Sequence, residues 1–276
     1  MILLSQDVSL TSVKKNIQIC ILFLLVTQFL TSKTLANNAS YIATSGAISK
    51  QKHLEVISNN AANVNTNGFE QDNVIFEKRD HSETKRKADS FVIAKGNYRT
   101  ENLGPLKPTG RVLDMAIVGN AYFMLLTPNG PRYTLDGAAA IDHTNTLVNH
   151  NGYPFASKDG QPILFPETYK TMQISEDGTI FADIEEVAIV GMFGFDANAE
   201  FAKEGDNMYI TNAVGVPVDD GTIKLASGYL RGANISSTKI LTEVIELQRS
   251  SDTSNELVKN IGLLEKNLIT RVMKTN

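Results

Sequence analysis

Chemistry at a protein site needs reactive side chains that converge, and this chain of 276 residues offers few: four histidines, one cysteine and no tryptophan. His53 lies beside an apolar stripe of helical spacing, and His81 sits in a charged stretch; both read as solvated or packed residues. Asp142, His143 and His150 could meet across a hairpin, but they flank turn residues and read as turn chemistry, with no metal expected. Asp177-Gly178 lacks the alternating oxygen ligands of a calcium loop and reads as a turn. Neither a phosphate-cradling glycine loop nor Gly-x-Ser-x-Gly nor His-Glu-x-x-His occurs in the sequence. The lone Cys20 leaves no internal disulfide and no cysteine-pair zinc site. The expectation is a non-enzyme that carries no cofactor, no metal and no small-molecule substrate.

One cluster stands apart. Asn59-Asn60-Ala61-Ala62-Asn63-Val64-Asn65-Thr66-Asn67-Gly68-Phe69-Glu70 places five asparagines before a glycine, more than the end of a helix needs for capping. Amides both donate and accept, so stacked copies of the chain would use the surplus in ladders at a buried junction. Charge points away from nucleic acid. The formal net charge is −4, and the single basic run, Lys85-Arg86-Lys87, has Asp80, Glu83 and Asp89 around it.

The elements that must position these residues change period along the chain. Residues 39–64 read as a helix with a heptad seam of Ala43, Ala47, Lys50, Leu54, Ile57, Ala61 and Val64, built mostly from small side chains. Residues 237–273 contain no proline, and Ile240, Val244, Leu247, Ser251, Ser254, Val258, Ile261, Glu265, Leu268 and Val272 alternate by four and three behind a Ser236 or Ser237 cap. Leu241, Ile245, Leu257, Leu264 and Ile269 widen the second stripe, so more than one neighbour is implied. Helices with such thin seams gain little by forming alone. They are expected to be loose in the monomer and ordered on assembly.

Between them the signal is β. Short apolar runs occur at Met115, Ile117, Tyr122–Leu126, Tyr133, Ile163-Leu164, Met172, Ile174, Ile180, Val187–Val190, Met208–Ile210 and Ile223–Leu225. Asn129-Gly130, Asp136-Gly137, Asn151-Gly152, Asp159-Gly160, Asp177-Gly178 and Asp220-Gly221 fall among these runs as hairpin turns that take positive φ. The expected fold is α+β: terminal helices paired as a coiled-coil-like bundle around a mostly antiparallel β domain, a sandwich or irregular barrel. The expected divisions are an extension at 1–36, the first helix at 37–69, an extended linker at 70–110, the β domain at 111–234 and the last helix at 235–276. The extension has Lys14 and Lys15 before an apolar run from Ile17 to Leu30, and Thr34-Leu35-Ala36 after it, the layout of a secretory signal. The competing reading is upstream sequence joined to the true start by a misplaced initiation codon.

The asparagine segment resembles the amino-terminal signature of the flagellar rod and hook family of axial proteins. Gly110–Phe123, Thr127–Gly130, Arg132–Gly137, Leu147-Val148, Gly152–Pro154, Gly160–Ile163 and Ile174–Ile180 resemble that family's β-domain motifs. Gly228–Ile235 and Thr242–Arg249 resemble its terminal motif. The likeness covers nearly all of residues 38–272. It is strongest to proximal-rod members, through the single β domain and Tyr41–Gly46, with distal-rod members next.

The resemblance implies a structural subunit of a periplasm-spanning rod in the bacterial flagellar basal body. Its implied partners are itself, other rod and basal-body axial proteins, and the flagellar type III export apparatus. Such proteins carry no cleaved signal, so residues 1–36 conflict with the implied export route, and a true start at Leu35 would resolve the conflict. The assembly interface expected from both readings comprises Ala43, Ala47, Leu54, Ile57, Asn59, Asn60, Asn63, Asn65, Gly68 and Phe69 at one end. At the other it comprises Ile240, Val244, Leu247, Gln248, Val258, Ile261 and Leu268. Arg249–Asp252 departs from the family pattern, in which an aromatic commonly follows, and Ser251 predicts weaker seam packing there. A secreted β-domain binding protein or adhesin is the alternative of another class.

Overall fold

The computed structural model describes residues 41–80, 90–99, 102–196, 198–218 and 221–274. The extension at 1–36 lies outside them, as do His81 and the basic run at 85–87. Two helices bound the described chain: α1, residues 41–62, and α2, Ser237–Lys274. Mostly antiparallel strands lie between them, which matches the expected class at that level. The chain divides into two compact units, one of Ile57–Asn73 with Tyr98–Glu243, the other of Val74–Asn97 with the described parts of Met1–Val56 and Val244–Asn276.

The larger unit holds the β domain. β5 (Tyr122–Thr127) and β6 (Gly130–Thr134) form a tight hairpin, with Thr127 opposite Gly130. They sit at the centre of a six-stranded sheet ordered β13-β14-β6-β5-β12-β15, in which β12 is Met192–Gly194, β13 Phe201–Gly205, β14 Met208–Thr211 and β15 Val216–Pro217. β9 (Met172–Ile174), β10 (Thr179–Ala182) and β11 (Glu185–Ile189) make a three-stranded meander. Three further pairs complete the unit: β4 (Met115–Val118) with β16 (Lys224–Ser227), β3 (Leu106–Pro108) with β17 (Tyr229–Arg231), and β7 (Ala140–Ile141) with β8 (Leu147–Val148).

Alternation along these strands sends one set of side chains inward. Met115, Ile117, Phe123, Leu125, Leu147, Phe155, Ile163 and Ile180 form a continuous buried core. Tyr122, Tyr133, Phe193 and Tyr209 form a second cluster, with Phe195 and Phe201 packed against it. Its rings meet largely edge to face, the arrangement that their quadrupoles favour: Tyr133 and Phe195 are 4.7 Å apart at 86°.

Several expectations shift. Ile163-Leu164 forms no strand; Ile163 fills the core while Leu164 makes an isolated bridge to Thr146. Gly130, Gly152, Gly160, Gly178 and Gly221 take positive φ as the turn chemistry demands, but Gly137 does not. Gly137 is needed for space instead, because a Cβ there would fall 1.9 Å from the Met115 carbonyl oxygen.

In the smaller unit, part of the stretch expected as a linker over 70–110 is sheet: β1 (Asp72–Asp80) pairs with β2 (Ser90–Arg99). The apolar triplets Val74-Ile75-Phe76 and Phe91-Val92-Ile93 supply the strand propensity that the surrounding charges obscure. α1 packs on this pair through a stripe one residue before the predicted seam. Ser49 and Val56 are buried, the Ser49 hydroxyl donates to the Val92 carbonyl at 2.8 Å, and His53 stands edge-on to Phe76 at 5.4 Å.

Candidate assembly interface

α2 realises the seam read from its sequence. From Val244 to Asn267 its less exposed positions are Val244, Leu247, Ser250, Ser251, Ser254, Val258, Ile261 and Glu265, and every other described side chain is exposed. Three-four spacing keeps this set on one face of the helix. The polar members have a use. Lys50, itself on the α1 seam, donates to the Ser254 hydroxyl at 2.8 Å and to the Ser250 carbonyl at 3.4 Å, beside the buried Ser251. A cation on a helix seam costs stability but fixes register, because only one alignment satisfies it.

Of the other seam positions of α1, Ala43, Ala47, Leu54, Ala61 and Val64 are half-buried. Gln248 is exposed, and the side chain of Leu268 lies outside the described set. Both helices and the β1–β2 pair leave large apolar side chains in solvent: Tyr41, Ile48, Phe76, Tyr98, Leu241, Ile245, Leu257 and Leu264. Exposed apolar side chains in such number are typical of interaction surfaces.

The asparagine segment works differently from the ladder expected of it. Asn60 is fully buried, its amide donating to the Asp72 carbonyl at 2.7 Å and its side-chain oxygen accepting from the Asp72 N–H at 3.1 Å. Both functions of the side chain are used inside the chain, so Asn60 leaves the contact set. Asn63 donates to the Asn59 carbonyl at 2.9 Å and accepts from the Thr66 hydroxyl at 3.1 Å, a local cap at the end of α1. Asn59 and Asn65 remain exposed.

Gly68, Phe69, Ile57 and Ile240 are buried and belong to the interior as well. Gly68 has a φ of 67°, and a Cβ on it would lie 2.6 Å from the backbone of Leu135 and Asp136, so only glycine fits.

The segments that carry the family resemblance meet at one junction. The Gly68 N–H donates to the Arg231 carbonyl at 2.7 Å, the Asn234 N–H to the Phe69 carbonyl at 3.2 Å, and the Gln71 N–H to the Asn234 side-chain oxygen at 2.7 Å. Asn234 also donates to the Asn102 carbonyl at 2.8 Å. The buried Arg231 donates to the carbonyls of Gly104, at 3.1 Å, and Ile117. Burial draws its pKa down, while the nearby Glu70 carboxylate opposes that shift. Lys203 donates to the Glu70 carbonyl at 2.7 Å and the Asp72 carboxylate at 2.8 Å, with its ammonium 4.3 Å from the centre of the Phe69 ring. The chain leaving α1 and the chain approaching α2 are therefore tied side by side within the β-domain unit. Asparagine content signalled half of this junction; the partners Glu70, Lys203 and Arg231 carried no spacing signal of their own.

The groups first inspected for chemistry are engaged in structure. Asp142 accepts from the N–H groups of Thr144 and Thr146 and from the Thr144 hydroxyl, which together hold its pKa below the usual carboxylate range. Asp177 makes the same kind of turn with Thr179. A cleft of about 500 Å³ lies between Asn59, Asn63 and Thr66 on one side and Gly205–Met208 on the other, with Asp136 and His150 in its lining. Burial raises the Asp136 pKa; the Ala138 N–H and His150 oppose the rise, and Asp114 adds to it. The Asp136 carboxylate accepts the Ala138 N–H at 3.1 Å, and Lys203 is engaged as described.

A β domain that pins two helical ends together, while those helices leave large apolar side chains exposed, fits the class of assembly subunits. The comparisons agree with that class. Residues 41–69 match the family model of the flagella basal body rod protein, and residues 116–182 that of the flagellar hook protein FlgE/F/G D1 domain. The flagellar basal-body rod protein FlgF of Caulobacter vibrioides is 29% identical over 87% of this chain and 100% of its own length. FlgF of Rhizobium meliloti is 29% identical over 83% and 96%. The flagellar basal-body rod protein FlgG of Bacillus subtilis is 31% identical over 79% and 92%. The chain belongs to the flagellar basal-body rod proteins, structural components of the rod of the flagellum.

Proposed function

We propose that this chain is a rod subunit of the FlgF type, placed in the proximal rod, whose activity is polymerisation and not catalysis. The observation that carries the reading is the surface of α2. It has one half-buried seam suited to a companion helix, and on the same helix large apolar side chains that are more than half exposed, Leu241, Ile245, Leu257 and Leu264. Coverage of the whole Caulobacter FlgF by this chain supports that type over the FlgG type. α1 and α2 pair along their seams in a coiled-coil-like manner, Lys50 setting the register. Ala43, Ala47, Leu54, Val244, Leu247, Gln248, Val258, Ile261 and Leu268, with Asn59, Asn63 and Asn65 at the base of α1, form the contact set. Its partners are further copies and other axial proteins, delivered by the flagellar export apparatus.

Deletion of the coding sequence followed by electron microscopy of basal bodies tests this. Rods that stop short and cells that do not swim are expected; complete rods with normal swimming would exclude the proposal.

A further inference from the structure

The chain contains the asparagine-glycine pairs Asn67-Gly68, Asn129-Gly130 and Asn151-Gly152. In such a pair the glycine nitrogen can attack the asparagine side chain, because no Cβ on the glycine shields it. The attack requires the peptide plane between the two residues to turn, and it requires room for the ring that forms. The pairs differ in both respects.

The peptide of Asn67-Gly68 is held at both ends: its N–H donates to the Arg231 carbonyl at 2.7 Å, and its carbonyl accepts from the Asn207 side-chain amide. Gly68 is buried, and a Cβ on it would lie 2.6 Å from the backbone of Leu135 and Asp136, so a ring has no room there. The peptide of Asn129-Gly130 sits at the turn of the β5–β6 hairpin. Its carbonyl accepts from Arg132 Nη1 at 3.2 Å, the Gly130 carbonyl accepts from the Thr127 hydroxyl at 2.6 Å, and Gly130 lies opposite Thr127 in the ladder.

Asn151-Gly152 is the loosely held pair. Both residues are exposed, and a Cβ on Gly152 would meet nothing within 4 Å. The Gly152 N–H donates to the Asn149 carbonyl at 3.0 Å, while among the described residues neither the Asn151 carbonyl nor its side chain is hydrogen-bonded. A turn bond at an exposed site opens by local motion far more readily than a bond in the interior.

We infer that Asn151 is a site of spontaneous deamidation in the folded chain, and that the fold protects Asn67 strongly and Asn129 in part from the same reaction. A solvent base takes the Gly152 N–H proton, the nitrogen bonds to Asn151 Cγ, and the Cγ–Nδ2 bond breaks with release of ammonia. Water then opens the succinimide, at the side-chain carbonyl carbon to give aspartate at position 151, or at the main-chain carbonyl carbon to give isoaspartate. Either product adds a negative charge next to His150, which lines the cleft described above.

Isoaspartate also lengthens the main chain inside the turn. The buried Asn149 holds that turn, its side-chain oxygen accepting from the N–H groups of Asn151 and Tyr153 at 3.0 and 2.9 Å. A longer path between those two donors cannot keep both bonds, so the conversion loosens the turn. The reaction depends on local geometry alone and stands apart from the rod reading.

The test is peptide mass spectrometry of the purified full chain incubated in mildly alkaline buffer, native in one arm and unfolded in urea in the other. The unfolded arm gives each pair the rate set by its sequence, and the ratio of the two rates isolates what the fold does. At Asn151 the native rate should stay within about tenfold of the unfolded rate, and at Asn67 it should fall at least about a hundredfold, each tenfold being about 1.4 kcal/mol of opening free energy. Asn129 should fall between them. Equal protection at the three pairs, or stronger protection at Asn151 than at Asn129, overturns the inference. In a second arm, Asn151→Gln, whose longer side chain must close a larger and slower-forming ring, should show no conversion at that position over the period in which the parent converts; conversion at the parent's rate overturns it as well.

Discussion

Replacing Asn60 with alanine removes a side chain that bonds the end of α1 to the start of β1. Asn60 is fully buried, and its two polar atoms satisfy both backbone groups of Asp72 at 2.7 and 3.1 Å. The substitution takes away the partner of the Asp72 N–H and of the Asp72 carbonyl. At about 1–3 kcal/mol for each stranded group, the loss is about 2–4 kcal/mol after some relaxation. Against a typical domain stability of about 5–15 kcal/mol, that is a large fraction.

Urea unfolding of the purified chain, followed by near-ultraviolet circular dichroism of the tyrosine-rich β domain, measures it. The midpoint should fall while the slope stays constant, which marks a change of stability and not of the unfolded ensemble. Asn60→Asp should lose nearly as much, because a carboxylate accepts from the Asp72 N–H but repels its carbonyl. A loss below about 0.5 kcal/mol for the alanine variant would show that the two bonds to Asp72 do not hold this end of α1, since surface substitutions alone reach that size.

Other outcomes follow from neighbouring geometry. Arg231→Ala should cost about 3–5 kcal/mol by the same assay, because it strands the Ile117 and Gly104 carbonyls and leaves the buried Glu70 without its compensating charge. Gly137→Ala should abolish soluble expression, since its Cβ meets the Met115 carbonyl at 1.9 Å, whereas Gly110→Ala, at a φ of 73° with open space, should cost only about 1 kcal/mol. Asp136 has its pKa raised by burial, so the stability it adds is full below the unfolded carboxylate range and is lost as pH rises through its folded value. Asp136→Asn should therefore match the parent chain near pH 3 and exceed it in thermal stability at pH 7, and equal curves at both pH values would contradict that. Lys50→Leu should leave thermal stability unchanged or higher while reducing swimming, because it trades a register-fixing contact for apolar burial.

Much of this architecture is legible in residue spacing. From Val244 to Glu265 the positions read as the α2 seam are less exposed ones, joined by Ser250, because a long helix without proline has no local competitor for its periodicity. The β domain is legible because asparagine-glycine and aspartate-glycine pairs punctuate short apolar runs, and five of the six pairs turn as their chemistry requires.

What escapes the sequence is non-local. The β1–β2 pair was hidden by the charged residues around its apolar triplets. The role of Gly137 depends on how closely Met115 approaches it, which no local pattern encodes. Asparagine content marked Asn60 as special, but the direction of its amide, inward to Asp72 and not outward to a neighbouring copy, depends on where the chain returns after Gly68. The stripe by which α1 meets β1–β2 lies one residue from the predicted seam, since a helix between two partners divides its faces between them.

Assembly of this chain into the rod through its terminal helices is open to direct observation. The most direct measurement is an electron cryomicroscopy map of basal bodies from cells that express it, at a resolution that shows side chains. Density for the chain is expected in the rod, with α2 from Ser237 to Lys274 buried in the subunit layer and its Leu241, Ile245, Leu257 and Leu264 against other helices. A fully occupied rod in which this sequence fits no density, or in which α2 of a fitted subunit faces solvent, would contradict it.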